Sequence, residues 1–567
     1  MQNHSWKSSQ QRAFGHRNAR TQDRLNGLGG DATTGFVTRI GTPLRRATLR
    51  DDYDVIVIGS GMGGLTTAAL LAKYAGKRVL VLERHYTAGG YTHAFRHGDY
   101  EWDVGLHYIG DVGDPSSDTR RLFDTISDGQ LEWASMGPVH DRIVLGDEVY
   151  DLPAGRDALR AELVRRFPAE ERAITRYIEL VDDTVRASRL YFAEKSVPRL
   201  VSKLLGGWLR RKFTGRAART TRAVLEELTD DPKLVAVLAG QFFTYGLPPA
   251  ESSFGVHALV AAHYFDGGFY PVGGASRIAA TVLPVIERAG GQVVTRAEVE
   301  TLLIDAGRAV GVRLADGTEL HARTIVSAAG VPITYGRLLP SAVAAAHGLD
   351  GLSTRHRPSL AHVCLYVGLK HTAAELGLER GNYFIYPSAD YERDHAAYAA
   401  NPDGPLPVVY LSFPAAKDPS FEERFPGRST IDIMAPAPFD LFAPWAEKKW
   451  QHRGDAYEAL KQRYAERLLE VLYRFVPRAE GKVDHCELST PISTRHFTGN
   501  EHGEIYGMAA TPARLTDRQL RAQTPIRGLY LAGQDVGVLG VTGAMFGGLI
   551  AASAIVGRDL GRTVRRG

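Results

Sequence analysis

Cysteine is nearly absent: Cys364 and Cys486 are the only two in 567 residues. That scarcity excludes a disulfide framework and a cysteine-rich metal or iron–sulfur centre, and it fits a reducing compartment. Net charge is small as well, +4 at neutral pH, so nothing in the overall balance implies a nucleic-acid partner. The first fifty residues are rich in Arg, Ser, Gln and Gly and lack the apolar run of a secretory signal. Asp23, Asp31 and the missing amphipathic periodicity argue against an organellar presequence, and 1–50 is expected to be a basic disordered tail. Paired metal ligands, a P-loop and a nucleophile elbow do not occur as recognisable motifs, which sets hydrolase and kinase readings aside. There is no internal repeat and no second glycine fingerprint, since Gly290-Gly291 follows a helical pattern and Gly547-Gly548 lies inside an apolar helical stretch.

What is present is one complete dinucleotide fingerprint. Asp54-Val-Ile-Val-Ile58 runs into Gly59-Ser-Gly-Met-Gly-Gly64, and a second apolar run, Arg78-Val-Leu-Val-Leu82, ends on Glu83. The order is strand, glycine turn, helix, strand and carboxylate. Gly59 allows the tight turn, Gly61 lets a pyrophosphate approach the backbone, and Gly64 lets helix and strand pack closely. A helix from about Met62 points free N–H groups and its positive dipole end at the phosphates. Glu83 stands at the spacing from which an acidic side chain meets the adenosine ribose, and its charge argues against a phosphate there.

The rest of the chain, 44% hydrophobic and 23% charged, has room for about two or three domains. Thr87-Ala-Gly-Gly90 reads as a loop closing over the cofactor, followed by strands through Trp102-Asp-Val-Gly-Leu-His-Tyr-Ile109. The pattern from 119 to 259 is mainly helical. Short strands are expected at 292–295, 299–304, 309–314 and 319–322, with a hairpin at Asp316-Gly317. Strands at 361–369 and 408–413 belong to a second mixed region. The chain closes with Gly528-Leu-Tyr-Leu-Ala-Gly-Gln-Asp535 and an uncharged run, 536–557, which is expected to be a buried helix although it is long enough to span a bilayer.

These widely separated segments resemble a known superfamily. Gly59 to Gly64, Glu83, Gly89-Gly90, the strand around Val299, Ala328-Ala-Gly330 and Leu531-Ala-Gly533 are similar to the flavoproteins that include amine oxidases, phytoene desaturases and GDP-dissociation inhibitors. More narrowly, four segments resemble the retinol saturase (all-trans-retinol 13,14-reductase) family, relatives of carotenoid isomerases: 85–93, Trp102 to Gly110, Gly267-Gly-Phe-Tyr-Pro-Val-Gly-Gly274 and 415–429. The resemblance runs from about Asp54 to the C-terminus. It implies an α/β protein in which a Rossmann-type FAD-binding domain, amine oxidase/phytoene desaturase-like, is interleaved with a mixed α+β substrate domain. The FAD domain would be 51–118, 266–331 and 484–567; a largely helical, membrane-facing insertion 119–265; and the second part of the substrate domain 332–483.

The resemblance also implies roles for residues. The backbone at Gly59 to Gly64, with Gly89 and Gly90, would hold FAD, with Glu83 on the ribose and Val299 presenting backbone groups to adenine. Gly330 and Gly533 would complete the cradle, and Gln534 or Asp535 would meet the ribityl–phosphate region. Gly540-Val-Thr-Gly-Ala544, with Thr542, would open a helix aimed at the flavin pyrimidine ring. Two positions depart from the pattern. Tyr91 stands where many relatives carry arginine, and Gln534 stands where they often carry a carboxylate.

Residues 196–213 form the second informative stretch. Val197, Leu200, Val201, Leu204, Leu205, Trp208, Leu209 and Phe213 recur at helical spacing, while Arg199, Lys203, Arg210, Arg211 and Lys212 supply charge. An almost purely basic polar side and a tryptophan on the apolar side are the marks of a helix lying on a membrane surface, against the plainer reading of a buried amphipathic helix. The expectation is a cytoplasmic protein held peripherally on a membrane.

The chemistry expected is flavin-mediated saturation of one double bond in a long apolar polyene or unsaturated lipid, with electrons from NAD(P)H as a transient visitor or from another donor. His107 and Tyr108 are candidates to supply the proton, and Tyr264 and Tyr270 to wall the tunnel. Desaturation or cis–trans isomerisation of a carotenoid, reduction of an unsaturated fatty acid, and a non-catalytic lipid escort of the GDP-dissociation-inhibitor kind are the alternatives. Oligomeric state is not legible.

Overall fold

The computed structural model describes residues 39–566. The expectation for 1–50 lies mostly outside them. Within them it is corrected, because Thr42–Pro43 pairs in parallel with Gln292–Thr295 at the edge of the main sheet. Ile40 is buried, donating to Thr87 Oγ1 at 3.1 Å and accepting from the Ala88 amide at 2.9 Å.

Six parallel strands make the cofactor sheet, in the order Thr42–Pro43, Gln292–Thr295, Val79–Glu83, Val55–Ile58, Thr324–Ser327, Leu529–Leu531. Val55–Ile58 and Val79–Glu83 are buried along their whole length, which explains their unbroken Val/Ile/Leu runs: a parallel sheet covered on both faces has no polar side. The helix Met62–Ala75 follows the first of these strands and ends on Gly76 in the left-handed conformation. Gly540–Val556 packs across it through glycine contacts. Among the described residues no single helix is long and apolar enough to cross a membrane; Gly540–Val556 and Leu560–Arg566 would pass only as a pair, and they are bent by 111°.

The excursion Val299–Asp305, Arg308–Leu314, Glu319–His321 is a three-stranded antiparallel sheet, turned where Asp316 accepts from the Thr318 amide. The second large sheet has seven strands, in the order Val483–Ser489, His362–Leu369, Ser429–Pro436, Val409–Ser412, Asn382–Tyr386, Val139–Leu145, Glu148–Pro153. Its last two strands correct the helical reading of 119–259. Val139–Leu145 runs parallel to Asn382–Tyr386, so a segment expected to be helical completes the substrate sheet. Helices occupy the remainder of that stretch, chiefly Arg156–Arg166, Glu171–Ser196, Arg199–Ala217 and Phe254–Tyr264.

Candidate active site

A single cavity of about 1420 Å³ is bordered by residues of both large sheets and of the helices between them. Most of the glycines singled out above meet along one wall: Gly59, Gly61, Gly89, Gly90, Gly330 and Gly533. Gly59 has φ +93°, as its turn requires. Gly61 has ordinary extended backbone angles, and a Cβ there would meet nothing within 4 Å; it faces open space that a ligand can fill. Gly64 is different. It does not line the cavity, and its missing Cβ would lie 2.0 Å from the Gly59 carbonyl oxygen, so its task is to let helix and turn touch.

Glu83 lines the cavity and also ties its loops together, accepting from the Ser60 amide at 2.9 Å, the Ser60 hydroxyl at 2.7 Å and the His85 amide at 2.7 Å. Val299, Gln534 and Thr542 border the same space. Asp535 does not. It accepts from the Val331 amide at 2.7 Å and lies 3.4 Å from Arg514, so it fixes the Gly330–Val331 turn from behind instead of reaching the cavity. Lys195 braces the neighbouring backbone, donating to the Val536 carbonyl at 2.8 Å.

The cavity fits a dinucleotide cofactor. Two helices, Met62–Ala75 and Gly540–Val556, begin at its wall with no side-chain cap. Their first backbone N–H groups and positive dipole ends are left for an anionic partner. No arginine follows Gly90, but cations that the motif pattern did not signal stand on the cavity wall beside Glu298 and Val299. Arg84 lies 3.4 Å from Glu298, with its Nη1 buried and unpartnered, and Arg337 neighbours it. Burial first, then Arg84, lowers the Arg337 pKa.

Away from the glycines the wall becomes aromatic, with Tyr264, Tyr366, Phe384, Tyr410 and Tyr506. The Tyr108 ring is part of it and stacks on Tyr264 at 4.3 Å between centroids. Its hydroxyl is committed elsewhere, donating to buried Asp141 at 2.7 Å, which also accepts from Gln241 and Asn382. Tyr108 is therefore corrected from proton donor to wall residue. Tyr270 is corrected too: it is buried outside the cavity and bonds Asp103. His107 does line the space, with burial first and Lys417 second lowering its pKa to about 3. Two further wall histidines, His263 and His362, escaped sequence reading because they carry no motif. Burial lowers each to about 4, and His263 Nε2 accepts from the Gly110 amide at 2.9 Å with Thr542 Oγ1 at 3.5 Å.

The helix Arg199–Ala217 shows two sides. Ser202, Gly206, Arg210, Phe213 and Ala217 are buried, whereas Leu200, Leu204, Leu205 and Trp208 are 70%, 74%, 56% and 71% exposed. Phe213 and Arg210 correct the face drawn from sequence. Phe213 packs inward against Tyr191, and Arg210 is buried 3.8 Å from Glu194 while donating to the Asp517 carbonyl.

A family profile described as an NAD(P)-binding Rossmann-like domain matches residues 57–126. The all-trans-retinol 13,14-reductase of Rattus norvegicus is 38% identical over 90% of this chain and 86% of its own length. The chloroplastic prolycopene isomerase of Arabidopsis thaliana is 25% identical over 90% of this chain and 83% of its own. Among solved structures, the cyclohexylamine oxidase of Brevibacterium oxydans superposes with a TM-score of 0.56 at 17% identity, covering 91% of this chain and 99% of that one; this likeness speaks for the fold.

Proposed function

Since the chain belongs to the all-trans-retinol 13,14-reductase family, we propose that it saturates one double bond of a retinol-like polyene. It is an oxidoreductase acting on a carbon–carbon double bond, built on a flavoprotein-type fold. FAD as the particular cofactor and NAD(P)H as transient donor are the finer parts of this reading. One observation carries it: the cavity joins the dinucleotide cradle to an aromatic chamber without a break. At about 1420 Å³ it exceeds the roughly 300–1,000 Å³ of a one-ligand pocket, so there is room for a cofactor and a long second molecule.

Gly59, Gly61, Gly89, Gly90, Glu83 and Val299 would hold the adenosine and pyrophosphate half, and Gly330, Gly533, Gln534 and Thr542 the other. When bound and reduced, the flavin supplies hydride. The chain does the rest by position and exclusion. Aromatic walls bury the polyene, keep water from the reacting carbons and hold the double bond in one orientation. The open start of Gly540–Val556 offers N–H groups to negative charge at the ring end.

Membrane contact belongs to the same proposal. Leu200, Leu204, Leu205 and Trp208 form an exposed apolar stripe, with Arg199, Lys203, Arg211 and Lys212 exposed beside it. Such a patch, rimmed by cations, suits an anionic leaflet. The helix before it, Glu171–Ser196, gives Ser188, Phe192 and Ser196 to the cavity wall, so a docked stripe would bring that wall to the phase in which an apolar polyene dissolves.

The test is anaerobic incubation of dithionite-reduced, flavin-loaded protein with retinoids, carotenoids and unsaturated fatty acids, followed by mass spectrometry. A gain of two hydrogens on a retinoid is expected. An unchanged mass with shifted retention would mean isomerisation and would sink the saturase reading.

A further inference from the structure

Beside the aromatic chamber lies a group of titratable side chains that wall-building leaves unexplained. The His107 ring lines the cavity while its Nδ1 is buried, 3.4 Å from Oδ2 of Asp432. That nitrogen and both Asp432 oxygens make no hydrogen bond. Asp432 is fully buried at the middle of Ser429–Pro436, between Tyr366 and Ser412 on the flanking strands. A carboxylate without donors in such a place would be costly, and the group keeps its proton instead. Burial pushes the Asp432 pKa up to about 8, with Lys417 acting against it.

Lys417 holds the assembly together. Its buried Nζ donates to the His107 carbonyl at 3.0 Å, to Ser412 Oγ at 2.7 Å and to Asn382 Oδ1. Burial brings its pKa down to about 7. His107 is thus anchored by its backbone, neutral in its ring, and backed by a protonated carboxyl. Contacts of 3.4 Å are long for a hydrogen bond, but catalytic pairs commonly tighten when substrate fills the site.

We propose that His107 and Asp432 form a proton relay that completes the saturation of the double bond, His107 touching the substrate and Asp432 acting through it. This rests on the saturase reading above. Once hydride, which a bound reduced flavin would supply, has added to one alkene carbon, an electron pair remains on the conjugated chain. That pair forms a C–H bond with the proton of His107 Nε2, and the N–H bond breaks as Nδ1 takes the proton from the Asp432 carboxyl. One C–H and one N–H bond form; one N–H and one O–H bond break. The imidazole stays neutral throughout and Asp432 ends as a carboxylate beside Lys417; the relay resets when Nε2 takes a proton from water in the cavity and Nδ1 returns its own to Asp432. A low imidazole pKa is no obstacle, because imidazolium is never formed.

Two readouts test the relay on flavin-loaded protein. An infrared difference between wild type and Asp432→Asn should contain the carbonyl stretch of a protonated carboxylic acid, fading as pH rises through about 8. In single turnovers of the pre-reduced enzyme, Asp432→Asn and His107→Gln should each slow polyene reduction by about 100-fold or more, the scale of a lost general acid, with retinoid affinity and flavin spectrum unchanged. The band should survive in His107→Gln, and a second reference, Asp432→Ser, gives the same infrared difference if Asp432→Asn folds poorly. An absent band, or variants that turn over like wild type, would overturn the relay alone. A wild type that reduces no polyene would overturn the saturase reading and the relay with it.

Discussion

Gly63 and Gly533 meet backbone to backbone: a Cβ on Gly63 would lie 2.4 Å from the Gly533 Cα. The contact joins the start of the fingerprint helix to the late cofactor segment, and Gly548 completes it from Gly540–Val556, where a Cβ would lie 2.5 Å from the Gly63 carbonyl oxygen. Neither neighbour is a side chain that could rotate away. Gly63→Ala should therefore cost about 1–3 kcal/mol, the range for overpacking a close-fitted interior, and should loosen flavin retention by spreading the cradle. Urea midpoints and flavin content after gel filtration would check both, and an unchanged midpoint would contradict the contact.

Gly61 gives the opposite expectation. Its backbone angles, φ −66° and ψ 175°, suit any residue, and a Cβ there meets nothing. Gly61→Ala should leave stability within about 0.5 kcal/mol of wild type while weakening flavin binding, because the added methyl group would enter the open space into which the pyrophosphate is proposed to fit. Titration of apoprotein with FAD, followed by fluorescence quenching, reads the affinity. Equal affinity in the two proteins would remove Gly61 from the phosphate site.

The fingerprint glycines Gly59, Gly61 and Gly64 were legible because the motif is local: turn, helix start and strand lie within thirty residues, 54–83, and each requirement leaves a residue type. The hairpin at Asp316-Gly317 was legible for the same reason. Val139–Leu145 is a mixed case: its hairpin with Glu148–Pro153 over Gly146-Asp147 is a local signal that the helical reading of 119–259 passed over, whereas its parallel pairing with Asn382–Tyr386 is recorded by no local pattern. Helical spacing in 196–213 marked apolar and basic residues but not which of them meet Glu171–Ser196; Arg210 is buried because Glu194 waits for it on that neighbouring helix. His107 could be suspected from its strand beside the cofactor loop. Asp432, which gives that histidine its chemistry, could not, because nothing in Ser429–Pro436 sets one aspartate apart until the sheet closes.

Buried histidines should make the fold acid-labile. Burial lowers His257 to about 3 and His263 and His362 each to about 4. Well above the ordinary imidazole value of about 6.5, folded and unfolded chains hold the same protons at these sites. As pH falls from there toward about 3, the unfolded chain takes up protons that the folded chain refuses. Stability should therefore fall with pH, by about 1.4 kcal/mol per pH unit for each such site. His257 bridges the Tyr177 and Tyr245 hydroxyls at 3.0 and 3.2 Å, outside the cavity wall. His257→Gln should reduce the slope by about one proton, whatever it does to stability at neutral pH. Asp432, held protonated up to about 8, contributes with the opposite sign, so the check is the difference between the two proteins: urea midpoints with the same pH slope below about 6.5 in wild type and His257→Gln would contradict this.

The exposed stripe calls for substitution, not excision, because removing 196–213 would also remove Phe213 and Arg210 from the interior. Leu204 and Trp208 are 74% and 71% exposed and lie one turn apart. Glutamate at both positions leaves the packed side of the helix untouched, so the melting temperature and flavin content should stay at wild-type values. A buried leucine contributes about 1.5–3 kcal/mol, and each 1.4 kcal/mol is about tenfold in partition. Leu204→Glu with Trp208→Glu should then lower binding to anionic liposomes at least about tenfold. Neutralising Lys203 and Lys212 should instead give a smaller loss, and one that vanishes at high salt, since surface cations act through a screened potential. Liposome binding that resists both sets of changes would show that Arg199–Ala217 does not meet the membrane.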